Sequence, residues 1–348
     1  MSKAQGKRIS VVIPARDEAD VIGPSIASLL RHEHVSAVQI FLVDDSSSDG
    51  TADVAEAAAR EAGLSEKLTI LRGTPLPAGW TGKMWAVSQG TAAALGSNPD
   101  YLLFTDADIL HSPTSIAELV AIAESGHYDL ASYMVRLACN TTAEKMMMPA
   151  FVFFFLMLYP PAWISSKRFR TAGAAGGCIL MRPGALHRAG GIAVIRGEVI
   201  DDCALARAAK RSGSRLWMGL AHATQSIRSY GTFGEIERMI ARTAFNQLHH
   251  SALLLLLTIA GLCVTYLAPP LLLISGKPFA MACGAAAWAL MTAAYLPMVR
   301  FYRLRAVWSI TLPAIAAFYL FATVDSATRY WRGLGGHWKG RVQDARSS

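Results

Sequence analysis

Three apolar segments, residues 251–274, 279–298 and 307–324, follow one another at the C-terminal end of this 348-residue chain. Each approaches the ~20 residues that an α-helix needs to cross the hydrocarbon core of a bilayer. A buried helix of a soluble protein can match one such run; three in succession predict membrane insertion. Charge follows the same division: residues 1–250 carry 24 Lys and Arg against 23 Asp and Glu, whereas residues 251–348 carry 9 against 2. The basic pI of about 9.4 therefore belongs to the C-terminal third and points to a membrane surface, not to nucleic acid. Arg300, Arg303 and Arg305 form one basic group and residues 329–341 hold another. The positive-inside rule places both in the cytoplasm. Three full crossings after a cytoplasmic domain would put the C-terminus outside, so the cues conflict, and one segment is expected to lie along the interface or to re-enter.

Residues 1–250 read differently. Short apolar strands at 9–13, 38–43, 68–71 and 101–105 alternate with helical patterns at 20–31, 51–62, 83–95 and 113–124. Four strand–helix repeats predict a parallel, doubly wound α/β sheet, in which ligands bind beyond the carboxyl ends of the strands. Polar clusters fall at three such ends: Pro14 to Glu18, Asp44 to Asp49, and Asp106 to Asp108. Asp106 and Asp108, two apart on an extended chain, would face one target, and two anions that close favour a divalent cation between them. The plainer alternative is a helix cap before Ser112-Pro113. Asp44 and Asp45 can bond a nucleobase edge or a ribose hydroxyl, or cap the helix that follows. Lys83, at a helix start after Gly79-Trp80-Thr81-Gly82, can meet a phosphate. Neither the Walker spacing nor GxGxxG is present, so a dinucleotide cofactor is not expected.

Further on, residues 129–137 and 174–181 are expected strands, 201–212 a helix opened by two acids, and 232–248 an amphipathic helix. Residues 146–164 are apolar and aromatic, nearly long enough to span. Met1 to Arg8 contains no h-region, so no signal peptide is expected. Cys139, Cys178, Cys203, Cys263 and Cys283 match no metal spacing and are expected to be reduced; the sequon Asn140-Thr141-Thr142 is expected to be fortuitous.

The order of motifs resembles a family 2 glycosyltransferase of the GT-A nucleotide-sugar-binding fold. Val11-Val12-Ile13-Pro14-Ala15-Arg16-Asp17-Glu18 matches the opening strand and loop, and Val43-Asp44-Asp45-Ser46-Ser47-Ser48-Asp49-Gly50-Thr51 the second motif. Thr105-Asp106-Ala107-Asp108 matches the metal-binding DxD, Gly176-Gly177-Cys178 the acceptor-side strand, and Ile200-Asp201-Asp202-Cys203-Ala204-Leu205 the Glu-Asp-x-x-Leu motif, with Asp for Glu. Trp80-Thr81-Gly82-Lys83-Met84-Trp85-Ala86 and the tail Gly335-Gly336-His337-Trp338-Lys339-Gly340-Arg341 are similar to the membrane-anchored branch, above all to hopene-associated glycosyltransferases. Met239-Ile240-Ala241-Arg242-Thr243 keeps only the arginine of the processive Gln-x-x-Arg-Trp, which points to transfer of a single sugar.

The resemblance implies a mixed-sheet GT-A domain over residues 1–250, about three transmembrane helices over 251–326, and a basic tail over 327–348. It implies an inverting transfer from a nucleotide sugar, taken as a UDP-sugar, to a lipid acceptor of hopanoid or isoprenoid type. Alternatives are a ceramide-like or carotenoid acceptor, or a non-catalytic nucleotide-sugar-binding scaffold. Asp106 and Asp108 would hold Mg2+ or Mn2+. Pro14, Arg16, Glu18, Asp44, Asp45, Lys83, Asp106 and Arg242 would bind the donor. Gly176, Gly177 and Cys178 would lie on the acceptor side. Asp202 would be the general base with Asp201 as its substitute, since neighbours on a helix point about 100° apart and only one would face the substrate. The expected location is a bacterial inner membrane, multi-pass, with the catalytic domain in the cytoplasm. Asp108 and Asp202 must serve one site, so residues 146–164 between them cannot cross alone and are expected in the interface or along the acceptor groove.

Overall fold

The computed structural model describes residues 4, 6–35, 37–333, 337–338 and 341–342. Most of the tail motif at 335–341, and half of the basic tail at 327–348, lies outside the described residues. Strands β1 (Arg8–Ala15), β2 (Ala37–Asp44), β3 (Leu68–Arg72) and β4 (Tyr101–Phe104) alternate with helices α1 (Ala19–Leu30), α2 (Thr51–Glu61) and α3 (Gly82–Gly96). Next come β5 (Ile109–Leu110), α4 (Ser115–Gly126), β6 (Leu130–Arg136), α5 (Thr142–Leu158) and α6 (Pro161–Ser165). They are followed by β7 (Ile179–Met181), α7 (Pro183–Arg188), α8 (Asp201–Arg211), β8 (Leu216–Ser226), α9 (Phe233–Ala241) and α10 (Ala244–Gln247).

One eight-stranded sheet runs β3-β2-β1-β4-β7-β6-β8-β5. The first four strands are parallel, as the repeats predict. β7 is antiparallel to both β4 and β6, and β5 is antiparallel to β8, so the whole sheet is mixed. Period-two alternation distributes the central strands between two cores. Ile9, Val11 and Ile13 of β1, with Tyr101 and Leu103 of β4, pack on Ile22, Ile26, Ala55 and Leu119. Val12, Leu102 and Phe104 face the other way, onto Met84, Val87, Cys203 and Leu205. Because both faces are covered, these strands read as unbroken apolar runs.

Two expected elements are shorter than their sequence pattern. Of residues 174–181 only β7 is strand, and the amphipathic stretch 232–248 breaks into α9 and α10 at Arg242-Thr243. α5 opens with a capping box, in which Thr141 Oγ1 accepts from the Glu144 N–H and the Glu144 carboxylate from that of Thr141. It stops at Tyr159, which precedes Pro160 and leaves helical geometry.

The C-terminal region consists of α11 (Ala252–Leu262), a π-turn (Cys263–Leu267), α12 (Ala268–Leu273), α13 (Pro278–Phe301), a 3-10 turn (Ala306–Thr311) and α14 (Leu312–Trp331). Runs 252–273, 278–301 and 306–331, together with 142–165, are long and apolar enough to cross a membrane. α5 packs among the other three: Phe153 meets Tyr295 at 5.2 Å, and Phe154 meets Tyr266 at 5.7 Å and Tyr319 at 4.9 Å.

Candidate active site

The parallel register brings the strand ends level: Val12 pairs with Phe41 and Phe104, and Ala15 with Asp44. Pro14, Asp44 and Thr105-Asp106 therefore emerge at one edge of the sheet. A cleft opens there, lined by Pro14, Lys83, Thr105, Asp106, Gly176, Asp201 and Asp202 above apolar Met84, Val87, Ile179 and Leu205.

α3 starts at this edge because the Thr81 side chain caps it, accepting from the Met84 N–H. Its second residue, Lys83, bridges two acids, with Nζ 2.9 Å from Asp106 Oδ1 and 3.2 Å from Asp201 Oδ2. Burial alone would lower the Lys83 pKa, but Asp106 and Asp201 outweigh it and hold the ammonium well above its ordinary value. α8 points its N-terminus into the cleft, so Asp201 and Asp202 both line it. One of the two is expected to face the substrate; both side chains line the cleft, because those of a first turn fan around the helix mouth. Asp202 Oδ2 accepts from the Gly176 N–H at 2.8 Å, and Oδ1 from the Cys203 N–H at 2.7 Å. Burial, then the neighbouring Asp201 charge, push the Asp202 carboxyl up to about 6 against the pull of those N–H groups and Lys83.

Asp108 turns elsewhere. The chain leaves β4 after Phe104 and makes a turn at Ala107-Asp108, so the extended geometry expected for Asp106 and Asp108 does not hold. Asp108 is buried, with Oδ2 accepting from Ser226 Oγ at 2.7 Å and lying 3.3 Å from Arg228 Nε. The same guanidinium pairs with Glu18. Burial lowers the pKa of Arg228, but Asp108 and then Glu18 raise it above its ordinary value. Arg228 belongs to no motif. It reaches Asp108 because β8 pairs with β5, Ile109 opposite Ser226, and the Ile227 N–H donates to Asp108 O at 2.9 Å. Glu144 fixes the same loop from α5, accepting from Ser229 Oγ at 2.8 Å and the Tyr230 N–H at 2.6 Å. Each acid of the DxD thus lies against a cation of the protein, Asp106 against Lys83 and Asp108 against Arg228.

The other expected residues are arranged less directly. Asp44 Oδ1 accepts from the Ser47 N–H at 3.0 Å, and Arg16 donates to Asp45 O at 2.6 Å. Both acids are buried at the edge beside Pro14. Cys178 lies inside the core, away from the cleft that Gly176 lines. Gly177 is held by crowding, since a Cβ there would come within 2.9 Å of Val135, and its carbonyl accepts from Thr105 Oγ1 at 2.8 Å. Arg242 is exposed at the end of α9. Burial holds the Tyr230 phenol above its ordinary value, against the opposing pull of Arg228 and then of Arg242.

α8 also reaches away from the cleft. At its far end Lys210 Nζ donates to the carbonyls of Trp163, Ile164 and Thr171 at 3.1, 2.8 and 2.6 Å. These contacts hold both ends of a loop that exposes Lys167, Arg168 and Arg170 and stacks Trp163 on Phe169 at 4.9 Å.

The carboxylates suit a hard divalent cation by donor type. Among the described residues, however, no group of three or more His, Cys, Asp or Glu is disposed to hold one. Such a donor set fits an ion that completes its shell with substrate phosphates and water, the usual habit of Mg2+.

Residues 10–190 match the model of glycosyl transferase family 2. The chain belongs to this family. It is therefore a glycosyltransferase, with a GT-A-like mixed α/β domain followed by apolar helices that could span a membrane. Among curated proteins, this family 2 chain is 32% identical over 127 residues to an undecaprenyl-phosphate 4-deoxy-4-formamido-L-arabinose transferase of Serratia proteamaculans (strain 568). The match spans 35% of each chain, so about a third of that relative's length is represented. Among solved structures, a mannosyltransferase from Pyrobaculum calidifontis in complex with GDP-Man and Mn2+ superposes with a TM-score of 0.53 at 18% identity. The superposition covers 93% of this chain and 87% of that one, and it supports the fold.

Proposed function

We propose that this glycosyltransferase transfers a single sugar from a nucleoside-diphosphate sugar to a hydroxyl group of a membrane lipid, hopanoid or otherwise isoprenoid, in one inverting displacement. One observation carries the reading. The Gly176 N–H binds Asp202, and a Cβ at Gly176 would stand 3.5 Å from Asp202 Oδ2 and 3.7 Å from Asp106 Oδ2. A candidate base and a DxD carboxylate therefore face one small space.

In this reading Asp202 accepts the proton of the acceptor hydroxyl. The hydroxyl oxygen bonds to the anomeric carbon as the bond from that carbon to the diphosphate breaks, and the electron pair leaves with the diphosphate. Lys83 and Arg228 stand where that charge develops. Asp44, Asp45, Pro14 and Arg16 hold the nucleoside, and Arg242 contacts the diphosphate from the membrane side. A divalent ion bound through Asp106, and through Asp108 once Arg228 releases it, would neutralise the departing diphosphate. The catalytic domain works on the cytoplasmic face of a bacterial inner membrane.

The second reading, a lipid-phosphate acceptor, follows from the name of the Serratia relative. The paired acids favour a hydroxyl: a phosphate needs no base and would be repelled by Asp201 and Asp202. Membranes carrying the protein should be supplied with labelled nucleotide sugars, UDP-sugars first and GDP-Man second, and the lipid extract counted. A product stable to mild acid supports a glycoside of a hydroxyl; an acid-labile one supports a glycosyl phosphate. Label confined to the aqueous phase would sink both. EDTA should abolish transfer and Mg2+ or Mn2+ restore it; transfer unaffected by EDTA would remove the metal from the reading.

A further inference from the structure

The four apolar runs are not equivalent. An 18-residue apolar stretch within 252–273 or within 278–301 is only 17% buried, whereas one within 142–165 or within 306–331 is 39% buried. α14 leans on the catalytic domain from Phe318 to Arg329. Leu312 and Ile315 share a cluster with Met134 of β6 and Ile236 of α9. Phe318 meets Phe233 at 6.0 Å, and Tyr319 Oη donates to Met147 O at 3.3 Å. In the last turns Ser326 Oγ donates to Ala241 O and accepts from the Phe245 N–H, and Arg329 pairs with Glu237 at 3.3 Å.

Twenty residues of helix are about 30 Å long, which is about the thickness of the hydrocarbon layer. A helix that crossed would carry its far end that distance from the domain it left. α14 rests on that domain from Phe318 to Arg329, and the turn before it is tied to the middle of α13, where Trp288 Nε1 donates to Ile310 O at 3.0 Å, so α14 starts within the apolar layer and returns to the domain without crossing. Its outward stripe is apolar, with Phe321, Val324 and Trp331 exposed. α5 is clamped likewise, by Glu144 at its start and by its contacts with α13 and α14.

α11–α12 and α13 behave in the opposite way. α13 is buried only at Gly284 and, near its end, at Tyr295, Met298 and Val299. A Cβ at Gly284 would lie 2.6 Å from Pro269 O, so the backbones of α12 and α13 nearly touch, as membrane helices do across small residues.

We propose that the chain crosses the bilayer twice, through the hairpin of α11–α12 and α13. α14 and α5 lie in the leaflet beneath the catalytic domain, with the exposed stripe of α14 against the acyl chains. The partner of that stripe is lipid, because it is continuous with the apolar hairpin and flanked by Arg300, Arg303 and Arg305 before it and Arg332 after it. Both arginine groups then lie on the catalytic side, and the conflict in the positive-inside cues disappears. The inference rests on membrane insertion, not on which sugar or lipid is used.

The test reads sidedness in the full chain. Single cysteines are introduced as Glu61→Cys on the catalytic domain, Ser275→Cys at the hairpin tip and Arg332→Cys after α14, all exposed positions. Sealed vesicles are treated with a membrane-impermeant maleimide before and after permeabilisation, with the unsubstituted protein as background. Arg332→Cys should label together with Glu61→Cys, and Ser275→Cys from the other side. Arg332→Cys labelling with Ser275→Cys would overturn the in-plane placement of α14, and Ser275→Cys labelling with Glu61→Cys would overturn the crossing hairpin. If a cysteine variant fails to fold, a reporter fused at the C-terminus and active on one side only reads the same sidedness. None of these outcomes depends on transferase activity.

Discussion

Lys83 Nζ lies 2.9 Å from Asp106 Oδ1, tying the start of α3 to the end of β4. The same ammonium reaches Asp201, so one cation serves the acids of two motifs that lie almost a hundred residues apart in the chain. Removing it leaves three carboxylates around one cleft with less positive charge to hold them.

Lys83→Met should therefore slow transfer on the order of a hundredfold or more. Lys83 pulls the Asp202 pKa down, so without it Asp202 rises above about 6. The acid limb of the pH–rate profile should move to higher pH. A variant that is slower but keeps the wild-type limb would show that Lys83 does not act on Asp202.

Asp202→Asn should lower turnover by on the order of 10²–10⁴, and full activity would remove Asp202 as the base. Stability should move the other way. The folded pKa of about 6 lies above the ordinary aspartate value of 3.8, so folding favours the protonated acid. Wild-type stability is fullest below the unfolded pKa and falls as pH rises through the folded one. The Asn variant should melt higher than wild type at pH 8 and show no such gain near pH 4.

Arg228→Met leaves Glu18 and Asp108 side by side without their shared cation. The Arg228 side chain is 32% exposed, so the loss should be about 1–3 kcal/mol in denaturant titrations, below that of a fully buried pair. Adding Glu18→Gln should recover part of it. If Arg228→Met unfolds at the wild-type denaturant concentration, the ion pair contributes nothing to the fold.

Gly90→Ala tests the packing behind the cleft. Its Cβ would fall 2.7 Å from Val12 Cγ1 and 2.8 Å from Val43 Cγ2, which pushes α3 off the sheet. Overpacking of this kind should cost about 1–3 kcal/mol, measured by thermal unfolding. The shift of α3 carries Lys83 with it, so KM for the donor should rise too.

The cleft was largely legible in the sequence because its parts are local. Apolar runs ending in Pro14, Asp44 and Asp106 mark strand ends, and parallel pairing does the rest. Arg228 was not legible. It comes into play through β8, whose residues Gly219 and His222 interrupt the strand pattern, and through a pairing with β5 more than a hundred positions away. Residues at i and i+2 point one way only on an extended chain, and the turn at Ala107-Asp108 separates Asp106 from Asp108. The path of α14 was equally hidden. Hydropathy counts apolar residues but not what they touch, and Asp325, Ser326 and Arg329, the polar residues that seat the helix, are too few to lower it.

α8 carries Asp202 at one end and, through Lys210, the exposed Trp163–Phe169 pair at the other. Its 11 residues make a rod about 16 Å long. Such a rod fixes the separation between Asp202 and the loop that carries Trp163 and Phe169. Lengthening α8 by one turn would therefore move that loop about 5 Å farther from Asp202.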